Sequence, residues 1–219
     1  MIDYGNEGHV YELAGDLDPA LAPKELARAE ALFTARRWPA ARDSYAAAQP
    51  FVTGPERARV DMRVAACDVG QGRYREGRDR LVPLLEGPAG EEARFHHLVA
   101  LRGLKLKDEH VKLSRAFVAR YPTSRFADEV LNNLASAYII DDQDERADGV
   151  FREVVEKYPA GPFTKRAAWK AGWWAYRKGS FQEAVTFFDR GAAQFPRSDY
   201  RPSWLYWSGR ASLESGNVE

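Results

Sequence analysis

Few residues in this chain are of types that do chemistry, and their spacing argues against most of the chemistry they could do. His96 and His97 are adjacent, so on a helix they point about 100° apart, whereas a zinc-binding pair shares one face at i and i+4. Asp141-Asp142-Gln143-Asp144-Glu145 is rich enough in carboxylates for calcium. It lacks the glycine and the terminal bidentate glutamate of an EF-hand loop, and reads as a solvated turn. Gly70-Gln71-Gly72 precedes Arg73-Tyr74 between two helical segments, not between a strand and a helix, so a dinucleotide loop fails on context. Cys67 lies among Val64, Ala65, Ala66 and Val69 and reads as core packing. No nucleophile, base and oxyanion site assemble, so no catalytic residue, metal or cofactor is predicted.

One constellation remains, aromatic and basic: Arg166, Trp169, Trp173, Tyr176 and Arg177 along about three turns, with Tyr206 and Arg210 continuing it further on. If the helix carrying them lines the concave side of a curved stack, flat rings offer apolar faces to a ligand or a partner side chain. Arginine adds bidentate bonds to carboxylates. The alternative is that Trp169 and Trp173 pack between neighbouring helices.

The elements that must position these residues repeat. Tyr121-Pro122, Tyr158-Pro159 and Phe195-Pro196 recur at steps of 37 residues, and Phe126, Phe163 and Tyr200 follow each proline by four. Ala147 and Ala184, Phe151 and Phe188, Gly172 and Gly209, and Gly179 and Gly216 keep the same phase. Within one unit, Ala167, Ala168, Ala171, Trp174 and Ala175 recur at three and four residues, the spacing of one helix face. Gly179 ends that helix. Ser180-Phe181-Gln182-Glu183 has the form of a capping box, and a second helix follows over 181–194 until Pro196. Small Gly172 and Ala184 let the two helices approach, with Phe181 and Phe188 filling the space beside them.

Upstream, Trp38, Ala41, Tyr45 and Ala48 answer Tyr74, Gly77, Leu81 and Leu84 at 36 residues. The hairpin between is the poorest match, with Lys107, His110 and Ser114 where aromatic, small and aromatic residues belong. The pattern predicts an all-α fold, a right-handed superhelix of tetratricopeptide-like helical hairpins. The hairpins span 23–50, 55–87, 90–122, 125–159 and 163–196, with one unpaired helix at 200–215 and an irregular lead over 1–22. One hairpin cannot bury its apolar face alone and covers it with its neighbours, so 23–219 reads as a single solenoid domain.

Composition sets the outer limits. The 219 residues are 45% apolar and 29% charged, which suits a folded core and excludes bulk disorder. The 32 basic residues balance 32 acidic ones, which argues against a broad electropositive face for nucleic acid and leaves room for a local basic patch. No run approaches the roughly 18 apolar residues of a membrane span. The start, Met1-Ile2-Asp3-Tyr4-Gly5-Asn6-Glu7, has neither the basic lead nor the apolar stretch of an export signal.

Residues 117–216, above all Phe195-Pro196-Arg197-Ser198 followed by Tyr206-Trp207-Ser208-Gly209-Arg210-Ala211, with Ala168-Trp169 and Gly179-Ser180-Phe181 before them, resemble the superhelical repeat region of bacterial soluble lytic murein transglycosylases. The resemblance implies a noncatalytic scaffold that shapes access to, or docks on, peptidoglycan glycan strands in the periplasm. In that family the cutting is done by a separate lysozyme-like domain, whose signature is Glu-Ser followed downstream by Gly-Leu-Met-Gln. Glu214-Ser215 occurs here, but Gly216-Asn217 and the repeat phase place it at an interhelix turn. No Gly-Leu-Met-Gln follows, so no catalytic residue is carried over. The alternative is a cell-envelope adaptor that holds a protein or peptide partner in its concave groove. Trp204, Leu205, Trp207 and Leu213 give the last helix a bare apolar face. That face leads to two expectations: a fragment of a longer protein, and a surface through which two copies could pair.

Overall fold

The computed structural model describes residue 20 and residues 22–216; the lead expected over 1–22 falls almost wholly outside them. Among the described residues there are eleven α-helices and no strand: α1 (Ala22–Thr34), α2 (Trp38–Ala48), α3 (Gly54–Gly70), α4 (Tyr74–Leu81), α5 (Gly90–Gly103), α6 (Lys107–Arg120), α7 (Ala127–Ile140), α8 (Asp144–Lys157), α9 (Thr164–Arg177), α10 (Phe181–Gln194) and α11 (Arg201–Glu214). Eleven is the number of helices that five hairpins and one extra helix predict. The chain divides between Leu106 and Lys107 into two compact units. Unit 1 holds α1–α5 and unit 2 holds α6–α11.

The turn inside each pair shows why the period is regular. Arg36, Gly72, Lys105, Asp142, Gly179 and Gly216 all adopt positive φ, between 55° and 80°, each just past the end of a helix. In the first five turns the next amide reaches back over the helix end, as Arg37 N–H does to the Leu32 carbonyl and Ser180 N–H to the Ala175 carbonyl, both at 2.9 Å. The left-handed residue thereby satisfies carbonyls that the helix leaves orphaned. Glycine does this without strain at three of the six positions, whereas a side chain there costs about 1–2 kcal/mol.

One local prediction fails. Ser180 sits at the start of α10 but makes no capping hydrogen bond. It already serves as the closing residue of the preceding turn, and its ψ of 62° lies well short of the extended backbone from which a serine caps a helix. Glu183, the other half of the expected box, is drawn instead to Arg152 of α8.

The loops between pairs repeat as faithfully. In Tyr121–Phe126, Tyr158–Phe163 and Phe195–Tyr200 the fourth residue's amide bonds the first residue's carbonyl at 2.9–3.1 Å. The Ser124 and Ser198 hydroxyls accept from the amides of Phe126 and Tyr200. The middle loop has Gly161 in place of serine, and a Cβ there would stand 2.3 Å from the Asp128 carboxylate. That carboxylate, on buried α7, accepts the Phe163 amide from across one repeat. The Tyr158 hydroxyl donates to the Pro122 carbonyl at 2.9 Å; one repeat on, Phe195 lacks a hydroxyl and Gln194 donates to the Pro159 carbonyl instead.

The core is built from small residues on one helix facing large ones on the next. In unit 1, one apolar cluster joins Leu26, Ala29, Ala41, Tyr45, Val60 and Cys67, and another joins Met62, Ala65, Val69, Leu81, Ala93 and Ala100. Each spans one hairpin and the first helix of the next, the nearest-neighbour packing of a repeat array. Rings lie over glycines: a Cβ on Gly70 would meet the Trp38 ring at 2.6 Å, and one on Gly103 the Tyr74 ring at 2.5 Å. In unit 2 the same holds for Gly172 beneath Phe188 and Gly191 beneath Trp204. Polar contacts tie successive repeats at the surface: Glu30 accepts from Arg59 and Arg63, and Arg63 also pairs with Glu92. In unit 2, Arg115 pairs with Glu153 and Arg152 with Glu183.

Candidate functional site

The aromatic and basic residues singled out by their spacing lie on α9 and α11 of unit 2. Residues 169, 173 and 176 follow one another at four and three positions, so they share a face of α9. Their rings form a row: Trp169 and Trp173 are parallel within 10° at 6.0 Å between centroids, and Trp173 and Tyr176 within 9° at 6.0 Å. Trp207 of α11 meets both Trp173 and Tyr176 edge-on, at 4.7 and 5.0 Å, and Tyr206 meets Trp207 edge-on at 5.3 Å. Trp169 also touches Phe188 and Tyr200. The rings therefore pack against the following repeat while staying half-buried, and Tyr206 stands 61% exposed.

The arginines divide. Arg166 turns inward: it donates to Asn132 and Ser136 of α7 and lies over the Phe151 ring, so it joins helices. Arg177 is exposed, its guanidinium 5.9 Å from the Trp174 ring centre. Arg210 lies beside Tyr176 and Tyr206 and pairs with Glu214 at 3.4 Å. The open part of the predicted set is thus Trp169, Trp173, Tyr176, Arg177, Tyr206 and Arg210. Trp207 belongs with it; its place one repeat beyond the row could have drawn attention to it.

Sequence reasoning missed a cleft on the other flank of α9. About 130 Å³ in volume, it is lined by Ile139 of α7, by Asp144, Ala147, Asp148 and Phe151 of α8, and by Lys170, Trp173, Trp174 and Arg177 of α9. The turn residues explain why it is open. Two residues after the left-handed position, unit 1 carries Trp38 and Tyr74, whose rings cover glycines of the next repeat. The same position here is Asp144, and the residue equivalent to those glycines is Arg177. No ring fills the space. Its two acidic and two basic side chains balance, and burial pushes the Asp148 carboxyl up against the pull of Arg152. Asp148 Oδ1 and Trp174 Nε1 are buried without hydrogen-bond partners. Ligand pockets for cofactor-sized molecules run to about 300–1,000 Å³; this one suits a single side chain.

The other chemical candidates are structural. Cys67 is buried, and burial next to Asp68 pushes its thiol up to about 12. His97 is buried, and His96 packs edge-on against Phe33 and Phe95. Glu214 ends α11, Ser215 follows, and Gly216 takes the same left-handed turn as Gly179. No helix among the described residues is long and apolar enough to cross a membrane.

Similar folds occur among solved structures. PilF of Pseudomonas aeruginosa superposes with a TM-score of 0.66 at 10% identity, covering 90% of this chain and 86% of that one. A tetratricopeptide repeat protein from Parabacteroides merdae gives 0.57 at 14%, covering 90% and 75%. A thermophilic protein of this repeat type from Thermus thermophilus gives 0.56 at 12%, covering 88% and 99%. The fold is that of a tetratricopeptide-type helical repeat. No family model matches the chain, and no curated protein is similar to it.

Proposed function

We propose that unit 2 binds a protein partner, and that the partner lies along the aromatic row of α9 and α11 and places one side chain in the cleft beside it. The observation that carries this reading is the half-buried row of Trp169, Trp173 and Tyr176 buttressed edge-on by Trp207. Rigid rings supply large contact area at little entropic cost, and Arg177 and Arg210 at their edge suit carboxylates of the partner. A repeat scaffold of this type favours protein–protein interaction, since it presents side chains from successive helices on one surface.

A second reading has support of its own. The resemblance over 195–211 to the repeat region of lytic murein transglycosylases, together with parallel ring faces that suit sugar rings, favours docking on peptidoglycan glycan strands in the cell envelope. On that reading the chain is a scaffold beside an active site it does not itself carry.

One pair of assays separates the two. Random peptides displayed on phage are selected on the purified chain and measured against Trp173→Ala/Arg177→Ala, and both proteins are sedimented with purified murein. The protein-partner reading expects peptides that lose at least about tenfold in affinity in the double variant, with an unchanged helical circular-dichroism signal and no sedimentation. Sedimentation that the double variant abolishes would transfer the surface to glycan. Selected peptides that bind the variant as well as the parent chain would overturn the assignment.

A further inference from the structure

The charge balance of the whole chain hides a local excess in unit 1. Asp68, in the last turn of α3, has a side chain only 2% exposed, and three guanidiniums converge on it. Arg42 of α2 donates through Nε to Oδ1 at 2.8 Å. Arg73, in the turn before α4, donates through Nε at 3.2 Å and through Nη2 to the same oxygen. Arg80 of α4 approaches Oδ2 through Nε at 3.3 Å. Three positive charges face one negative charge, leaving two uncompensated.

The guanidiniums are also arranged to receive a ligand. Arg42 and Arg80 turn their Nε edges to Asp68, and their terminal Nη groups have no acceptor among the described residues; Arg73 turns Nη1 to Gln71. The three side chains are 31%, 40% and 56% exposed, so the donors that remain reach solvent from a buried anchor. Five donors in a planar fork leave an arginine capacity for a second oxyanion after one edge is used. Arg36 and Arg37 of the preceding turn, with Arg75 and Arg78, add positive charge to the same stretches of chain, against Asp43, Glu76 and Asp79.

We infer that Arg42, Arg73 and Arg80 form a binding site for a phosphomonoester dianion, with Asp68 as the residue that positions them. An excess of two charges is matched by a dianion and only half-matched by a carboxylate. A phosphomonoester carries close to two charges at neutral pH and three oxygens that accept from arginine forks. The group comes either as free phosphate or on a phosphorylated side chain.

Titration calorimetry of the full chain at pH 7.5, with ionic strength held by sodium chloride, tests the site with inorganic phosphate and separately with O-phosphoserine. Saturable binding of inorganic phosphate is expected, competed by sulfate and not by acetate, and binding of O-phosphoserine should weaken below about pH 6 as its dianion protonates. Arg42→Gln and Arg80→Gln should each weaken it about tenfold or more with an unchanged circular-dichroism spectrum. Arg57→Gln, whose partner is Asp61, should leave it intact. Phosphoserine binding at least as tightly as phosphate supports a phosphorylated partner, and binding of phosphate alone supports the free ion. Absence of saturable binding by both, or binding that survives Arg42→Gln/Arg80→Gln, would overturn the site.

Discussion

At the scale of single residues, two mid-helix glycines make opposite predictions. A Cβ on Gly172 would stand 2.5 Å from the Phe188 ring, a contact that overpacks a buried seam, so Gly172→Ala should cost about 1–3 kcal/mol. A Cβ on Gly149 of α8 would have nothing within 4 Å, so Gly149→Ala should gain about 0.5–1 kcal/mol through helix propensity alone. Urea denaturation of both variants checks this; equal shifts would mean that the ring-over-glycine packing is misplaced. The close approach at Gly172 was legible in the sequence, because a small residue recurs opposite a phenylalanine in the repeat phase. The Asp68 cluster was not: its arginines lie 26, 5 and 12 residues from the aspartate, and only the stacking of α2, α3 and α4 brings them together.

Two buried groups make a pH prediction at the same scale. Burial raises both the Tyr45 phenol, which lies beside Glu30, and the Cys67 thiol, the latter from 9.0 to about 12. In the fold each is favoured in its neutral form. The stability this represents is complete below the unfolded values, 9.0 for the thiol and 10.0 for the phenol, and is lost as pH rises through the folded ones. Thermal midpoints should therefore fall between pH 9 and pH 12, and Cys67→Ala should show a smaller fall over that window than the parent chain. Native thiolate absorbance titrating near pH 9 would contradict the burial of Cys67.

At the scale of elements, the turn inside each hairpin ends one helix and starts the next with a single left-handed residue. The sequence showed this as Gly72, Gly179 and Gly216, but the same geometry at Arg36, Lys105 and Asp142 was hidden behind side chains that tolerate it at a cost. The capping box at Ser180 misled because its pattern, Ser-x-x-Glu, is local, whereas the tertiary pull of Arg152 on Glu183 is not. Ser180→Ala should consequently change the unfolding free energy by less than about 0.5 kcal/mol, while Gly179→Ala should cost about 1–2 kcal/mol. A large loss at Ser180 would restore the cap. The cleft was illegible for a related reason. Asp144 reads as one more acid in a polar turn until Trp38 and Tyr74 show that a ring belongs there. Asp144→Phe should fill the space and remove the side-chain subsite but lower the melting temperature, because Arg177 carries a Cβ where Gly70 and Gly103 leave room for a ring.

At the scale of the molecule, an aromatic–proline beat of 37 residues announced the fold, because each hairpin depends on its neighbour for burial and so repeats the same residues at the same places. The function is less legible. Spacing put Trp169, Trp173 and Tyr176 on one face of α9, but could not say that Arg166 would turn inward to Asn132 or that Trp207 would arrive from α11. Those facts depend on how repeats stack.

The central claim, that the row on α9 and α11 is a contact surface, is tested most directly by the tryptophan indole N–H signals in a ¹H–¹⁵N spectrum of the chain. Each is assigned by single substitution, and the chain is titrated with a peptide selected on it. The account predicts that the Trp169, Trp173 and Trp207 signals move with a common dissociation constant while that of Trp204, fully buried under Gly191, stays still. Binding that leaves all three unmoved would contradict it.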